Sequence, residues 1–258
     1  MLKEFFFVTG APRSGTTYVS DWLTQLEDAY CVHEVLADLR HRSPEEALAA
    51  LEVYARSGAD RLDKVRQREF LAWPSQGLET PVPGLVGWKE PVTWERGGLS
   101  AVPEPLGTLL RRHCEKAMVT VRHPFDVVAS GRRREATTSN WRPLSVAEHC
   151  AFWLSTLDVI RDLKAQGTEV LVLHWESLLA DPGSSAVRMG ELLNRTLLAF
   201  DGYEREPEEL SSMRACVDPQ RGLSGHASRR YLTETDRQEI SLLLSVEAAE
   251  LGYEVSGT

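Results

Sequence analysis

Apolar residues in this chain fall into short unbroken runs, separated by longer stretches in which they recur every three or four positions. The runs are Phe5-Phe6-Phe7-Val8, Leu85-Val86-Gly87-Trp88, Ala117-Met118-Val119-Thr120-Val121 and Glu169-Val170-Leu171-Val172-Leu173-His174. Runs apolar at successive positions predict strands buried on both faces, as in a parallel sheet covered by helices. Between the first two, Val19, Trp22, Leu23 and Leu26 predict a helix from Thr17 to Leu26. Ser43-Pro44-Glu45-Glu46 and Ser145-Val146-Ala147-Glu148 are capping boxes, each opening a helix. The second helix continues through Phe152, Leu154, Leu157, Ile160 and Leu163, with Phe152 and Trp153 read as core, and stops before Gly167. Further helices are predicted over 99–113, from Pro124, over Gly183 to Leu193, and from a Thr233 cap to Leu251. Arg61 to Leu71 reads as a solvated amphipathic helix face. Strands alternating with helices predict an α/β fold: one domain over 1–258, with a central, mainly parallel sheet flanked by helices. Residues 43–80 read as a helical insertion forming a substrate wall or lid.

Composition narrows the partners. Lys and Arg total 29 against 38 Asp and Glu, a formal charge of −9, so no broad surface for nucleic acid or an acidic membrane is expected, and any anion site must be local. Cys31, Cys114, Cys150 and Cys216 are scattered without a CxxC pair, which predicts neither a zinc site nor a disulfide framework and fits a reducing cytoplasm. The apolar run near the start is too short for a secretion signal or a membrane span.

The first strand breaks into Gly10-Ala11-Pro12-Arg13-Ser14-Gly15-Thr16-Thr17. A buried strand leading through such a turn into a helix makes an anion site, because unpaired amides and the positive end of the helix dipole point the same way. Gly10 and Gly15 keep the glycine spacing of the P-loop G-x-x-x-x-G-K-S/T, but Thr16 stands where that motif needs lysine. Arg13 can supply the missing charge; the plain alternative is a strand-to-helix turn with a surface arginine. The His33-Glu34 pair, flanked by apolar residues, is a candidate general-base position, or else Glu34 is a helix-start carboxylate favoured by the dipole. Lys89 and Glu90 fall at the carboxyl end of a strand, where ligands sit in open parallel sheets, and a lysine there can stabilise a transferring oxyanion group or be a surface residue. Arg122 ends the next strand, and Ser130 lies two turns into the following helix, so a guanidinium and a hydroxyl can face one anion. A magnesium-dependent kinase would place aspartate at that strand end. Residues 201–232, with Arg214, Arg221, Gly222, Ser224, Gly225, Arg229 and Arg230, read either as a loop folded back over the phosphate site or as a flexible surface loop.

Taken together, the Gly10–Thr17 loop, Arg122 and Ser130 resemble sulfotransferases that use 3′-phosphoadenosine 5′-phosphosulfate (PAPS). The resemblance implies a single P-loop-like domain, with Arg13, Ser14, Gly15, Thr16 and Thr17 holding the 5′-phosphosulfate and Arg122 and Ser130 the 3′-phosphate. It leans toward tyrosylprotein sulfotransferases and related bacterial enzymes, which have an Arg-Ser-Gly-Thr-Thr loop, a glutamate base in a stretch similar to Cys31-Val32-His33-Glu34, and a Lys-Asp-Pro element similar to Lys89-Glu90-Pro91. Glu34 is then implied as the base and Lys89 as the charge stabiliser, beside Arg13. Cytosolic phenol and steroid enzymes use a histidine after a Lys-Thr pair, and no histidine follows Lys89 here. Trp175-Glu176-Ser177-Leu178 is similar to the family's Tyr-Glu-x-Leu turn, so Trp175 is carried over as a nucleotide contact. Arg221, Arg229 and Arg230 are carried over to the 3′-phosphate, although the Arg-Lys-Gly pattern of the cytosolic enzymes is absent. The implied reaction is in-line sulfuryl transfer from PAPS, without a metal, to a hydroxyl acceptor, leaving 3′,5′-ADP. The acceptor class is open among small molecules, sugars, phenols and peptide tyrosines, as is the oligomeric state. A P-loop-like nucleotide kinase and a catalytically silent nucleotide-binding protein are the alternatives.

Overall fold

Strand β1 (Glu4–Gly10) sits in the middle of a five-stranded sheet because neither of its faces tolerates water: Phe5 and Phe7 enter one core cluster, Phe6 and Val8 another. In the computed structural model, which describes residues 4–23, 26, 28–57, 83–137, 142–199 and 229–255, the sheet continues with β2 (Ala29–His33), β3 (Leu85–Lys89), β4 (Lys116–Val121) and β5 (Glu169–His174). The strand order is β2-β3-β1-β4-β5 and every pairing is parallel. Gly87 interrupts the β3 run because a Cβ there would lie 2.2 Å from the Phe6 ring.

The helices are α1 (Thr16–Leu23), α2 (Leu36–Leu39), α3 (Pro44–Ser57), α4 (Leu106–His113), α5 (Pro124–Thr137), α6 (Val146–Ala165), α7 (Trp175–Ala180), α8 (Pro182–Leu193) and α9 (Glu234–Glu250). Helices α3 and α4 cover the sheet face carrying Phe5 and Phe7, while α1, α7 and α8 cover the opposite face; α5, α6 and α9 close over Val119 and Val121. The capping boxes at Ser43 and Ser145 form as expected, and the Thr233 cap is also a box, closed by Asp236. Among the described residues no helix is long and apolar enough to cross a membrane. Because β3 and β4 flank β1 on opposite sides, the chain changes winding direction at β1, and the carboxyl end of that strand is where ligands sit in open parallel sheets.

Three expectations change. The sheet has five strands, not four: Ala29–His33 pairs with β3 as an edge strand, and its short, partly polar run gave no strand-like pattern. The helix expected over 99–113 is a 3₁₀ turn at Gly98–Ser100 followed by α4, because Pro103 and Pro105 lie between them and proline suits only the first turn of a helix. In the proposed insertion, α3 is not a lid: Ala47, Leu51 and Tyr54 are fully buried in the core. Its Glu45, Leu48 and Glu52 line a cavity of about 440 Å³ with Glu4 and Lys116, at the amino ends of β1 and β4, the edge opposite Gly10. The Arg61–Leu71 segment and the rest of that insertion lie outside the described residues.

Candidate active site

The loop after β1 is shaped by left-handed backbone. Arg13 has φ +77° and Gly15 φ +103°, and a Cβ on Gly15 would meet Trp175 Cε3 at 2.3 Å. Ser14 pins the loop to the sheet: its amide donates to the Ala11 carbonyl at 3.0 Å and its hydroxyl bonds Thr120 Oγ1 at 2.8 Å. Thr120 spends its own proton on the Thr9 carbonyl at 3.3 Å, so Ser14 is the donor in that pair. The Ser14 side chain is fully buried, and its hydroxyl anchors the loop to β4. Gly15, Thr16 and Thr17 lead into the first turn of α1, whose amides have no intrahelical acceptors and point toward the end of the loop.

One strand away, Lys89 ends β3 and Glu34 follows β2. The parallel register sets His33 beside Lys89, and the Glu34 amide extends the ladder by donating to the Lys89 carbonyl at 2.8 Å. Glu34 then turns into left-handed backbone, φ +48°, which brings its carboxylate onto the Lys89 ammonium. The two partners differ in exposure: the Lys89 side chain is 1% accessible and that of Glu34 54%. The candidate base is thus open to an acceptor and the candidate charge stabiliser is shielded. His33 engages Ser20 Oγ at 2.5 Å and Asp21 Oδ1 at 3.3 Å on α1, which aims it away from Glu34.

Glu90 plays a part that the sequence gave no sign of. Its Oε2 accepts from Trp88 Nε1 at 3.0 Å and from the Leu36 amide at 3.2 Å, so it caps α2, whose own N-cap Val35 has no side-chain acceptor. Its backbone is tied to β1 through Val8 and Thr9. The Glu90 carboxyl is raised to about 7, chiefly by burial and also by the charge of Glu34, against the two hydrogen bonds and Lys89. Glu90 therefore titrates near neutrality beside the Lys89–Glu34 pair.

On the other side of β1, the structure brings Arg13, Arg122 and Ser130 together. Arg13 Nε donates to Ser130 Oγ at 3.3 Å, and an Arg122 terminal nitrogen donates to the Arg13 carbonyl at 3.3 Å. Burial lowers the Arg122 pKa, Arg13 and Arg133 lower it further, and Asp126 and Glu176 act in the opposite sense. Its buried Nε has no acceptor among the described residues. A buried guanidinium beside a second one, with a donor unused, is an environment that an anion improves. The Arg122 carbonyl accepts from Trp153 Nε1 at 3.0 Å, so Trp153 supports this corner as well as filling the core.

The remaining candidates are spread more widely. Trp175 lies under Gly15, edge-on to Tyr18, with the Arg122 guanidinium 5.6 Å from its ring centroid. At 5% accessible it forms a floor under the loop. Arg229 forms a two-point pair with Asp126 at 2.8 and 3.1 Å over the Phe125 ring, and Arg230 is exposed beside Tyr231. Neither is joined to Arg122 by a hydrogen bond. Arg221 and most of the expected 201–232 loop lie outside the described residues.

A parallel sheet wound in opposite directions from β1, with a glycine-bent anion loop at that strand's carboxyl end, defines a P-loop-like α/β fold. No protein-family model and no curated protein sequence matches the chain. Among solved structures, it is similar to the sulfotransferase domain from the curacin biosynthetic pathway, at 16% identity over 99% of both chains with a TM-score of 0.54. The mouse sulfotransferase SULT7A1 complexed with PAP is similar at 14% identity over 84% of this chain and 65% of that one, with a TM-score of 0.42. The chain thus shares the fold of a sulfotransferase domain.

Proposed function

We propose that the chain is a PAPS-dependent sulfotransferase acting on a hydroxyl acceptor. The observation that carries this reading is the Lys89–Glu34 pair, one strand away from a loop flanked by Arg13, Ser130 and Arg122. In the proposed reaction, Glu34 takes the proton of the acceptor hydroxyl as that oxygen bonds to sulfur. The bond from sulfur to the 5′-phosphate oxygen breaks in line, and 3′,5′-ADP leaves with the electron pair. Once protonated, Glu34 loses its charge and its hold on Lys89, which frees the ammonium to neutralise the leaving oxygen at the moment that charge develops there. Arg13 and the amides of the first turn of α1 neutralise the phosphosulfate, while Arg122 and Ser130 receive the 3′-phosphate. No part of this scheme assigns work to a metal ion.

Burial pushes the Cys114 and Cys150 thiols up to about 12, so they stay protonated and unreactive, in keeping with the reducing, cytoplasmic setting proposed for the chain. The deciding experiment is transfer of labelled sulfate from PAPS across small alcohols, sugars, phenols and tyrosine peptides, with 3′,5′-ADP binding measured in parallel. Transfer to one class, slowed by about 10² to 10⁴ in Glu34→Ala, is expected. Neither transfer nor 3′,5′-ADP binding would end the proposal, and nucleotide binding without transfer would favour a silent binding protein.

A further inference from the structure

We infer that the C-terminal segment Gly252–Val255 is a latch on the nucleotide corner, and that Tyr253 is a positioning residue for Arg122. This rests on the proposed role of Arg122 at a phosphate. Arg122 is followed by His123, whose amide donates to Glu176 Oε1 at 3.0 Å. The second oxygen of that carboxylate is taken by the Tyr253 hydroxyl at 2.8 Å. Glu176 therefore joins the end of β4, the start of α7 and the chain's last described residues. With the tyrosine proton committed to Glu176, His174 Nδ1, 3.1 Å from the same hydroxyl, must be the donor to it. His123 is oriented in a similar way: its Nδ1 accepts from the Phe125 amide at 3.3 Å, leaving Nε2 to donate to the Glu254 carbonyl at 3.1 Å. The Tyr253 ring packs against both imidazoles, with centroids 5.4 and 5.3 Å away.

The latch is itself firmly mounted. Gly252, with φ +76°, ends α9 in a Schellman turn: its amide bonds the Ala249 carbonyl, and the Tyr253 amide bonds that of Ala248, each at 3.0 Å. Val255 inserts beside Phe125 in the core cluster. At the far end of the same segment, Arg229 grips Asp126 in the first turn of α5. The unit 229–255 thus grips the β4–α5 corner at both ends. Without the tyrosine hydroxyl, the half-buried Glu176 carboxylate loses one of its two donors, and the His123 amide loses a fixed acceptor.

Two measurements on the full chain test this: calorimetric titration with 3′,5′-ADP and with 5′-AMP, and amide hydrogen exchange across residues 122–126. In Tyr253→Phe, which keeps the ring and the fold, exchange at His123 should accelerate, and 3′,5′-ADP should weaken by about tenfold, the equivalent of one hydrogen bond to a charged group. Binding of 5′-AMP should change much less. Glu176→Gln, which can accept from only one of the two donors, should give the same signature, and the double variant should lose no more than the worse single one. Unchanged exchange at His123 in Tyr253→Phe overturns the latch, as do equal losses for both nucleotides or additive losses in the double variant. If the unaltered chain binds both nucleotides alike while exchange at His123 still rises, the latch stands and the phosphate role of Arg122 is what fails.

Discussion

Lys89 and Glu34 form an ion pair across the seam between β3 and β2, with the ammonium sealed inside and the carboxylate half in solvent. A pair designed only for stability would gain little from this arrangement, because one partner pays full desolvation while the other stays screened. In the proposed reaction the pair has direction: the acceptor's proton reaches the exposed carboxylate, and its arrival releases the shielded ammonium.

Replacing Glu34 with alanine should lower turnover by about 10² to 10⁴ while leaving 3′,5′-ADP affinity within a few-fold of the original. Steady-state transfer assays and calorimetry on one preparation check both halves. Normal transfer by the variant removes Glu34 from the role of base.

Arg122→Ala should weaken 3′,5′-ADP by roughly 10- to 100-fold and 5′-AMP far less, since the lost contacts are charge-assisted and made only to the additional phosphate. Equal losses for the two nucleotides would move the 3′-phosphate elsewhere.

Glu90 sets a pH dependence whose sign follows from its environment. Its folded pKa is raised, from 4.5 to about 7, so between these values the folded chain holds a proton that the unfolded chain has released. Stability from this group is full at low pH, falls as pH rises from 4.5 toward 7, and is flat above that. Glu90→Gln removes the dependence. Denaturant titrations should show the variant gaining on the original chain by about 2 to 3 kcal/mol between roughly pH 5 and 8. A constant difference over that range would mean that Glu90 ionises freely in the fold.

Gly15→Ala should be among the costliest single-methyl changes in the protein. It adds a left-handed alanine and drives a Cβ to 2.3 Å from the Trp175 ring, a combined penalty of about 2 to 5 kcal/mol. Thermal unfolding reads the loss. Pairing the change with Trp175→Leu should recover part of it, and failure to recover any would mean the strain lies in the backbone alone.

The central strands could be read from sequence because burial on both faces leaves an unbroken apolar run, as in Phe5-Phe6-Phe7-Val8. The edge strand β2 could not, since Tyr30 and His33 are only partly covered and break the pattern. The same divide runs through the site. The candidates Gly10, Arg13, Gly15, Lys89, Glu34 and Arg122 stand out by residue type at the ends of elements, and Ser130 by its place on the helix after Arg122. The groups that hold them do not: Glu90 acts on Leu36 across 54 positions and Tyr253 on Glu176 across 77, and no local spacing encodes such pairs. Ser14 has such a tie as well, a bond to Thr120 across 106 positions that the loop motif does not announce.

The place of β1 has a consequence for how such a protein can change. In the proposed scheme proton removal falls on the β2–β3 flank and the anion grip on the β4–β5 flank, with β1 and its loop between them. Variation around Glu34, α2 and the segment after Lys89 can therefore redraw what receives the group without disturbing what delivers it. A combinatorial library confined to that flank is a route to new acceptors on an unchanged donor site.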